Sequence, residues 1–512
     1  MPLPILFNPK TPPSLAYKVY RAEQVRQHEA AAARLCNLSL FTLMQRAGIA
    51  ASRYLQRYYP VAHNIVVVVG WGNNGGDGYI LACEAQKQGL NVSVVCADPK
   101  RELSGDALRA QQLWLDAGNP LLHWQNADFS AADVVVDALL GNGLSGEIRA
   151  PMQQLIACLN DCSVPILSLD LPSGLHADTG QAMPVAVKAH STITFVAIKP
   201  GLVTGQGKTY CGQLALDDLG IAQAFAQCAN AQAELIAWQA LPALLARQEH
   251  ANKGHFGRLL CIGGNVGMGG AIRLSAEAAL RCGTGLVKVF CHEQSRWQVS
   301  HGRPEIMLNH NSGIQALKVA LDWCSHVVIG PGLGTDSWAK SLVKQVLAYL
   351  KRNPKFALID ADGLNILAQS HDSKGILKQC VLTPHPGEAA RLLNTTVSEI
   401  ERDRYQACQQ IAQQYAAVVV LKGAGTLVAS HAAHTLQVCA DGNPGMATAG
   451  MGDVLSGVIA GLAAQGLDAP SAADYGVCLH AAAGDRVASL YGQRGMMASD
   501  LFEPLRTLVN YR

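Results

Sequence analysis

The feature that most constrains this chain is a rhythm that runs through it twice: short β-branched runs separated by stretches with helical spacing. The first series comprises IVVVV at 65–69, VSVV at 92–95, DVVVD at 133–137, VPILSLD at 164–170 and TITFV at 192–196. From His255 it restarts with RLLCI at 258–262, LVKVF at 286–290, HVVIG at 326–330, FALID at 356–360 and AAVVVLK at 416–422. Runs this short and this apolar are strands buried on both faces, which means parallel sheets covered by helices. Two helices, over 21–35 and 40–58, are predicted to precede the first sheet. Between the series lies the Ala- and Gln-rich DDLGIAQAFAQCANAQAE. At 512 residues the chain exceeds what one core supports. The expected organisation is therefore α/β, with one domain over 1–222, a linker over 223–235 and a second domain over 236–512.

Charge removes several classes of partner. Lys and Arg total 40 against 38 Asp and Glu, a net charge of +2, which leaves no field for gripping nucleic acid or an anionic membrane. The 15 cysteines are scattered with no Cys-x-x-Cys pair, so they read as small buried hydrophobes in a reducing compartment. The N-terminal MPLPILFNPKTPP lacks a basic n-region and breaks its apolar run with proline, and the best apolar stretch, Val454 to Ala464, is interrupted by glycine. A cytoplasmic protein is expected, working as a homo-oligomer on small molecules.

In VVVVGWGNNGGDGY a glycine-rich turn follows a strand and opens a helix, which aims backbone N–H groups at whatever binds there. Gly70, Gly72 and Gly75 satisfy G-x-G-x-x-G, the turn of a Rossmann-like domain, and Asp98 follows at about the spacing of a ribose-binding acid. On the glycines alone, a tight structural turn and a ligand loop are equally compatible. Asn73, Asn74 and Asp77 shift the balance, because a carboxylate there repels a phosphate and the loop offers oxygen ligands instead. Two later strand ends match it: VVVDALLGNGLSGE carries Asp137, and ILSLDLPSGLHADTG carries Asp170 and Ser173. Such ends share one crevice in a parallel sheet. Asn74, Asp137 and the Ser173 region can hold a monovalent cation, leaving Asp170 as an acid/base candidate or a helix-capping carboxylate.

GNNGGDG, DALLGNGLSG and LDLPSGLHADTG, followed by TFVAIKPGL, resemble the NAD(P)H-hydrate epimerase domain over roughly residues 20–220. The resemblance implies that Asn73, Asn74, Gly75, Gly76 and Asp77 line the substrate site together with Gly141, Asn142, Gly143, Leu144, Ser145, Gly146 and Glu147. It implies that Asp170 contacts the hydrated nicotinamide ring and that Asn74, Asp137 and Ser173 surround a potassium ion.

In the second half, VLKGAGT places Lys422 beside glycines at a strand end, and GMATAGMGDVLSG runs from a glycine-rich turn into a helix starting near Gly452. Free amides around Gly450 to Gly452 suit developing negative charge, and Asp453 is either a proton acceptor or a helix-favouring first-turn acid. His385, between two prolines of TPHPGEAARLL, is a structural histidine or a site residue. KGHFGRLLCIGGNVGMGGA, GPGLG, DADGLN and LTPHPGEAARL, with VLKGAGT and GNPGMATAGMGDVLSG, resemble the ADP-dependent NAD(P)H-hydrate dehydratase domain of the ribokinase-like superfamily over roughly 235–505. This implies that Ala271, Gly332, His385 and Asp453 contact the hydrate and that Lys422, Gly423, Ala424, Gly425, Thr426 and Gly452 hold the nucleotide. It also implies magnesium, ADP as co-substrate, and repair of hydrated NADH and NADPH by epimerising their R and S forms and dehydrating the S form. The competing readings are a ribokinase-like small-molecule kinase with an N-terminal nucleotide-binding module, a non-catalytic N-terminal scaffold, and a nicotinamide dehydrogenase.

Overall fold

A computed structural model describes residues 4–8, 11–143, 146, 148–370 and 377–510. The chain divides into two compact units, Leu3–Glu234 and Leu235–Arg512. The stretch 223–235, expected as a linker, instead carries helix Ala222–Cys228 and strand Ala233–Ile236, because its Ala and Phe side chains have an apolar surface to bury against. Leu144, Ser145 and Glu147, expected to line the substrate site, lie outside the described residues.

The first unit is an eight-stranded sheet in the order Ile5–Leu6, Gln213–Asp217, Ser191–Phe195, Ile166–Leu169, Val134–Ala138, Asn64–Val69, Asn91–Cys96, Leu121–His123. Every neighbouring pair is parallel. The five predicted β-branched runs form the centre, and the strands without such runs form the edges. Helices Ala22–Leu35 and Leu40–Tyr58 stand at the predicted positions, the second capped by Ser39, whose side chain accepts from the Thr42 amide at 3.0 Å. The chain order reverses between Asn64–Val69 and Val134–Ala138, so the loops leaving these two strands diverge and open a crevice at their carboxyl ends.

Close approach at that point is what the glycines provide. A Cβ on Gly70 would lie 1.8 Å from the Leu139 carbonyl oxygen, and one on Gly75 would lie 2.2 Å from the Gly70 carbonyl oxygen. Both contacts are with backbone, which cannot swing aside. Gly75→Ala is therefore expected to cost about 1–3 kcal/mol by overpacking; a urea midpoint for the first unit equal to that of the unsubstituted protein would contradict this.

In the second unit, strands Ile306–Leu308, Leu286–Phe290, Arg258–Ile262, His326–Ile329, Ala357–Ile359, Cys380–Leu382 and Val418–Leu421 lie side by side in parallel. The antiparallel strands Thr426–Ser430 and Leu436–Cys439 extend this sheet. Its order reverses between Arg258–Ile262 and His326–Ile329. Helices Met451–Ala464 and Gly269–Arg281 pack at backbone distance, since a Cβ on Gly457 would meet the Ser275 carbonyl oxygen at 2.1 Å. The apolar stretch 454–464 is a buried helix, and no helix among the described residues is long and apolar enough to cross a membrane. All fifteen cysteines are free thiols.

Candidate active sites

The crevice of the first unit is a cavity of about 610 Å³. Asn73, Asn74, Asp77, Gly141, Asn142, Gly143 and Asp170 line it. The segment expected as a turn is instead the start of helix Asn73–Lys87, with Gly72 as its N-cap. Helical spacing therefore separates its residues: Asn73, Asn74 and Asp77 reach the cavity, while Gly76 abuts the Met44 side chain and Gly75 abuts Gly70. Gly146 is exposed and absent from the lining residues.

Asp170 follows strand Ile166–Leu169 in the left-handed region at φ 62°, a conformation that Asp and Asn tolerate better than other side chains. This turns its carboxylate into the cavity. One oxygen accepts from Lys199 Nζ at 2.5 Å and Thr194 Oγ1 at 3.2 Å, and the other accepts from the Asn142 amide at 3.1 Å. Lys199 is 1% exposed and also donates to the Phe195 carbonyl at 2.8 Å. Sequence reasoning assigned Lys199 no role, although a lysine inside the apolar run TFVAIKPGL signals a buried cation that needs a carboxylate. Lys199→Met would leave Asp170 buried and unpaired, at about 3–5 kcal/mol. Calorimetry should show the first unit melting earlier while the second is unmoved; coincident melting of variant and parent would refute the pairing.

Asp137 is fully buried. Its oxygens accept from Ser168 Oγ at 2.8 Å, Ser173 Oγ at 2.5 Å, the Ser173 amide at 2.8 Å and the Leu139 amide at 3.3 Å. Burial pushes its carboxyl up, and those hydrogen bonds pull it partly back. Among the described residues no ion pair reaches it. Asn74 is buried with neither polar atom of its side chain hydrogen-bonded.

In the second unit, Asp453 occupies the first turn of Met451–Ala464, beside Gly450 at φ 88° as N-cap. A Cβ on Gly452 would lie 3.4 Å from Lys422 Nζ and 3.8 Å from Asp360 Oδ2, which brings the glycine turn, Lys422 and Asp360 together. Asp360, at the end of FALID, is 1% exposed and accepts from Lys422 Nζ at 2.8 Å and Ser456 Oγ at 2.7 Å. It too was unassigned, though it ends its strand as Asp170 does. Burial, with Asp360 close by, pushes the Asp453 carboxyl up to about 7, against the opposing pull of Lys422. Burial depresses Lys422, but Asp360 and Glu388 outweigh it and hold the ammonium charged.

His385 caps helix Pro386–Leu393: Nδ1 accepts from the Gly387 amide at 3.0 Å, and Nε2 faces Glu388 Oε1 at 3.3 Å. Burial lowers its imidazole, with Lys422 adding to the effect. Gly332, at φ 58°, lies against Ala271, where a Cβ would come within 3.1 Å of the Ala271 Cβ. The Lys422–Thr426 turn has Gly423 and Gly425 at positive φ, and Thr426 Oγ1 donates to the Gly423 carbonyl at 3.0 Å. Buried Arg404, also missed in sequence, donates to the Lys422 carbonyl at 3.2 Å and braces that turn.

Each unit thus sets a carboxyl among glycine-rich turns at the carboxyl ends of a parallel sheet and pairs a strand-end aspartate with a lysine. This is a two-unit α/β enzyme with a carboxyl-bearing candidate site in each unit. Residues 259–507 match the family described as NAD(P)H-hydrate dehydratase, and residues 40–201 match the YjeF-related protein N-terminus. The bifunctional NAD(P)H-hydrate repair enzyme of Coxiella burnetii is 44% identical over 493 residues, covering 96% of this chain and 99% of that protein. That of Escherichia coli K12 is 42% identical over 502 residues, covering 98% and 96%. An ADP/ATP-dependent NAD(P)H-hydrate dehydratase structure from Bacillus subtilis, co-crystallised with ATP and magnesium, is 26% identical with a TM-score of 0.45, covering 52% of this chain and 93% of that one. The chain belongs to the bifunctional NAD(P)H-hydrate repair enzymes.

Proposed function

We propose that the first unit interconverts the R and S forms of hydrated NADH and NADPH at Asp170. The second unit dehydrates the S form at Asp453 with ADP, giving AMP, phosphate and the restored cofactor. The observation that carries this reading is that each unit sets a candidate carboxyl beside a lysine at the carboxyl ends of its sheet: Asp170 paired directly with Lys199, and Asp453 next to the Lys422–Asp360 pair.

In the second unit, Asp453 takes the proton of the ring hydroxyl as that oxygen attacks the terminal phosphorus of ADP, and the Gly450 to Gly452 amides stabilise the developing charge. A phosphorylated oxygen then leaves far more readily than hydroxide. Ala271, Gly332 and His385 contact the hydrate, and Lys422, Gly423, Ala424, Gly425 and Thr426 with Gly452 seat the nucleotide. Carboxylate oxygens of Asp360 and Glu388 lie 2.8 and 3.7 Å from the Lys422 ammonium, and Asp360, Asp362 and Glu388 all raise the nearby Asp453 carboxyl, so these oxygens would hold magnesium. Magnesium would neutralise phosphate charge there.

In the first unit, Asn73, Asn74 and Asp77 with Gly141, Asn142 and Gly143 surround the hydrated ring. Asn74 has a buried side-chain oxygen with no hydrogen-bond partner, and Asp137 and Ser173, already hydrogen-bonded to each other, would contribute the other oxygens to a potassium ion, which would supply charge neutralisation. Free thiols throughout fit a cytoplasmic setting, and a homo-oligomer is the expected assembly.

The test incubates the purified protein with hydrated NADH, with and without ADP, and follows the return of reduced-nicotinamide absorbance. Recovery that needs ADP supports the reading. Accumulation of a stable phosphorylated product with ATP would favour the kinase alternative instead.

A further inference from the structure

The cavity of the first unit contains more carboxyls than the reaction assigned to Asp170 uses. Glu29, Asp77, Asp106 and Asp170 line it, with Lys199 and Arg26 as the cations. Glu29 belongs to helix Ala22–Leu35, before the matched residues 40–201, and shares a helical face with Val25, which also lines the cavity. Arg26 of the same turn donates to the Asn142 carbonyl at 2.5 Å, fastening this helix to the Gly141–Gly143 loop over the cavity.

We propose that Glu29 is a second catalytic acid–base residue of the epimerase cavity, acting with Asp170 on the hydroxyl of the hydrated carbon. The inference rests on the epimerase reading and deepens it. Hydroxide leaves poorly, so the hydroxyl needs a proton donor. Asp170 is surrounded by donors from Lys199, Thr194 and Asn142 and acts as an acceptor. The donor is therefore a different group.

Glu29 delivers its proton as the carbon–oxygen bond breaks and the oxygen departs as water. The ring-nitrogen lone pair forms the N=C bond of an iminium. Water then adds through an oxygen lone pair to the other face, the N=C pair returns to nitrogen, and the lost proton passes to Asp170. Exchange with solvent resets the two carboxyls, and no oxidant or reductant takes part.

The electrostatics agree. Burial pushes Glu29 up to about 7, with Asp170 adding to the rise and Lys199 and Arg26 opposing it, so it can release and regain a proton near neutrality. Asp77 is likewise pushed well above the usual carboxylate range by burial and by Asp170 and Glu29, with Lys199 opposing.

The experiment compares the full-length protein with its Glu29→Gln, Glu29→Asp and Asp170→Asn variants. It follows R/S interconversion of hydrated NADH by NMR without ADP, and ADP-dependent dehydration of the S form separately. Glu29→Gln is expected to lower the epimerisation kcat about a hundredfold with KM nearly unchanged, as loss of a general acid should. It should also remove the fall in kcat above pH 7, while Glu29→Asp restores part of the rate and S-form dehydration is unaffected. A Glu29→Gln variant within threefold of the parent kcat with the same pH profile, or altered only in KM, overturns the inference. If Asp170→Asn is inactive while Glu29→Gln is normal, only this inference fails; if the parent does not interconvert the epimers, the epimerase reading falls with it.

Discussion

Asp453→Asn is expected to lower the kcat of ADP-dependent dehydration by about a thousandfold, within the range for removal of a general base, while R/S interconversion continues at the parental rate. Asn keeps the size and polarity of the side chain but cannot accept the hydroxyl proton. The fold is preserved because Asp453 is tied in through its backbone: its carbonyl accepts from Ser275 Oγ at 2.7 Å. The carboxyl is raised to about 7 by burial and by Asp360. A base must be deprotonated to work, so kcat/KM for dehydration should rise with pH through about 7 and then level off. A variant that keeps the parental rate, or a parent whose rate falls across that interval, would remove Asp453 from the role of base.

Asp170→Asn should produce a different signature. With excess ADP and a racemic hydrate, the dehydratase consumes the S form at its normal rate and recovery of absorbance stops near half. Only the slow spontaneous epimerisation remains after that. The substitution is conformationally mild, because Asn also accepts the left-handed φ of 62° found at this position. It does remove the carboxylate that Lys199 pairs with, leaving a cation that is 1% exposed without its counter-charge. Loss of stability in the first unit must therefore be separated from loss of chemistry. The test measures both recovery of absorbance and unfolding at the assay temperature. Complete, fast recovery from a folded variant would exclude Asp170 from the reaction.

The two lysine–aspartate pairs show where reading the sequence stopped. Asp170 and Asp360 each end an apolar run, and Lys199 and Lys422 each lie at or just beyond the end of a later one, so all four residues were visible in recognisable motifs. Their partnerships were not, because 29 residues separate one pair and 62 the other. Glu29 was hidden for another reason: an isolated acid on an amphipathic helix has no local mark that distinguishes it from a solvated charge. The Asn73–Asp77 segment was recognised as a site, but its helical geometry divided it into cavity-facing and packing residues. The edge strands Ile5–Leu6 and Leu121–His123 went unread, because a few residues at the sheet margin need no β-branched run.

The sequence alone determined the two α/β units, the central strands, the glycine turns and the candidates Asp170 and Asp453. These depend on local propensity and periodicity, which neighbouring residues carry. Tertiary structure decided the strand order, the crevices where that order reverses, and the burial that pairs Lys199 with Asp170, pairs Lys422 with Asp360 and raises Glu29 and Asp453. Electrostatic coupling depends on distance through space and on exclusion of water, and both arise only when residues far apart along the chain are folded against the same sheet.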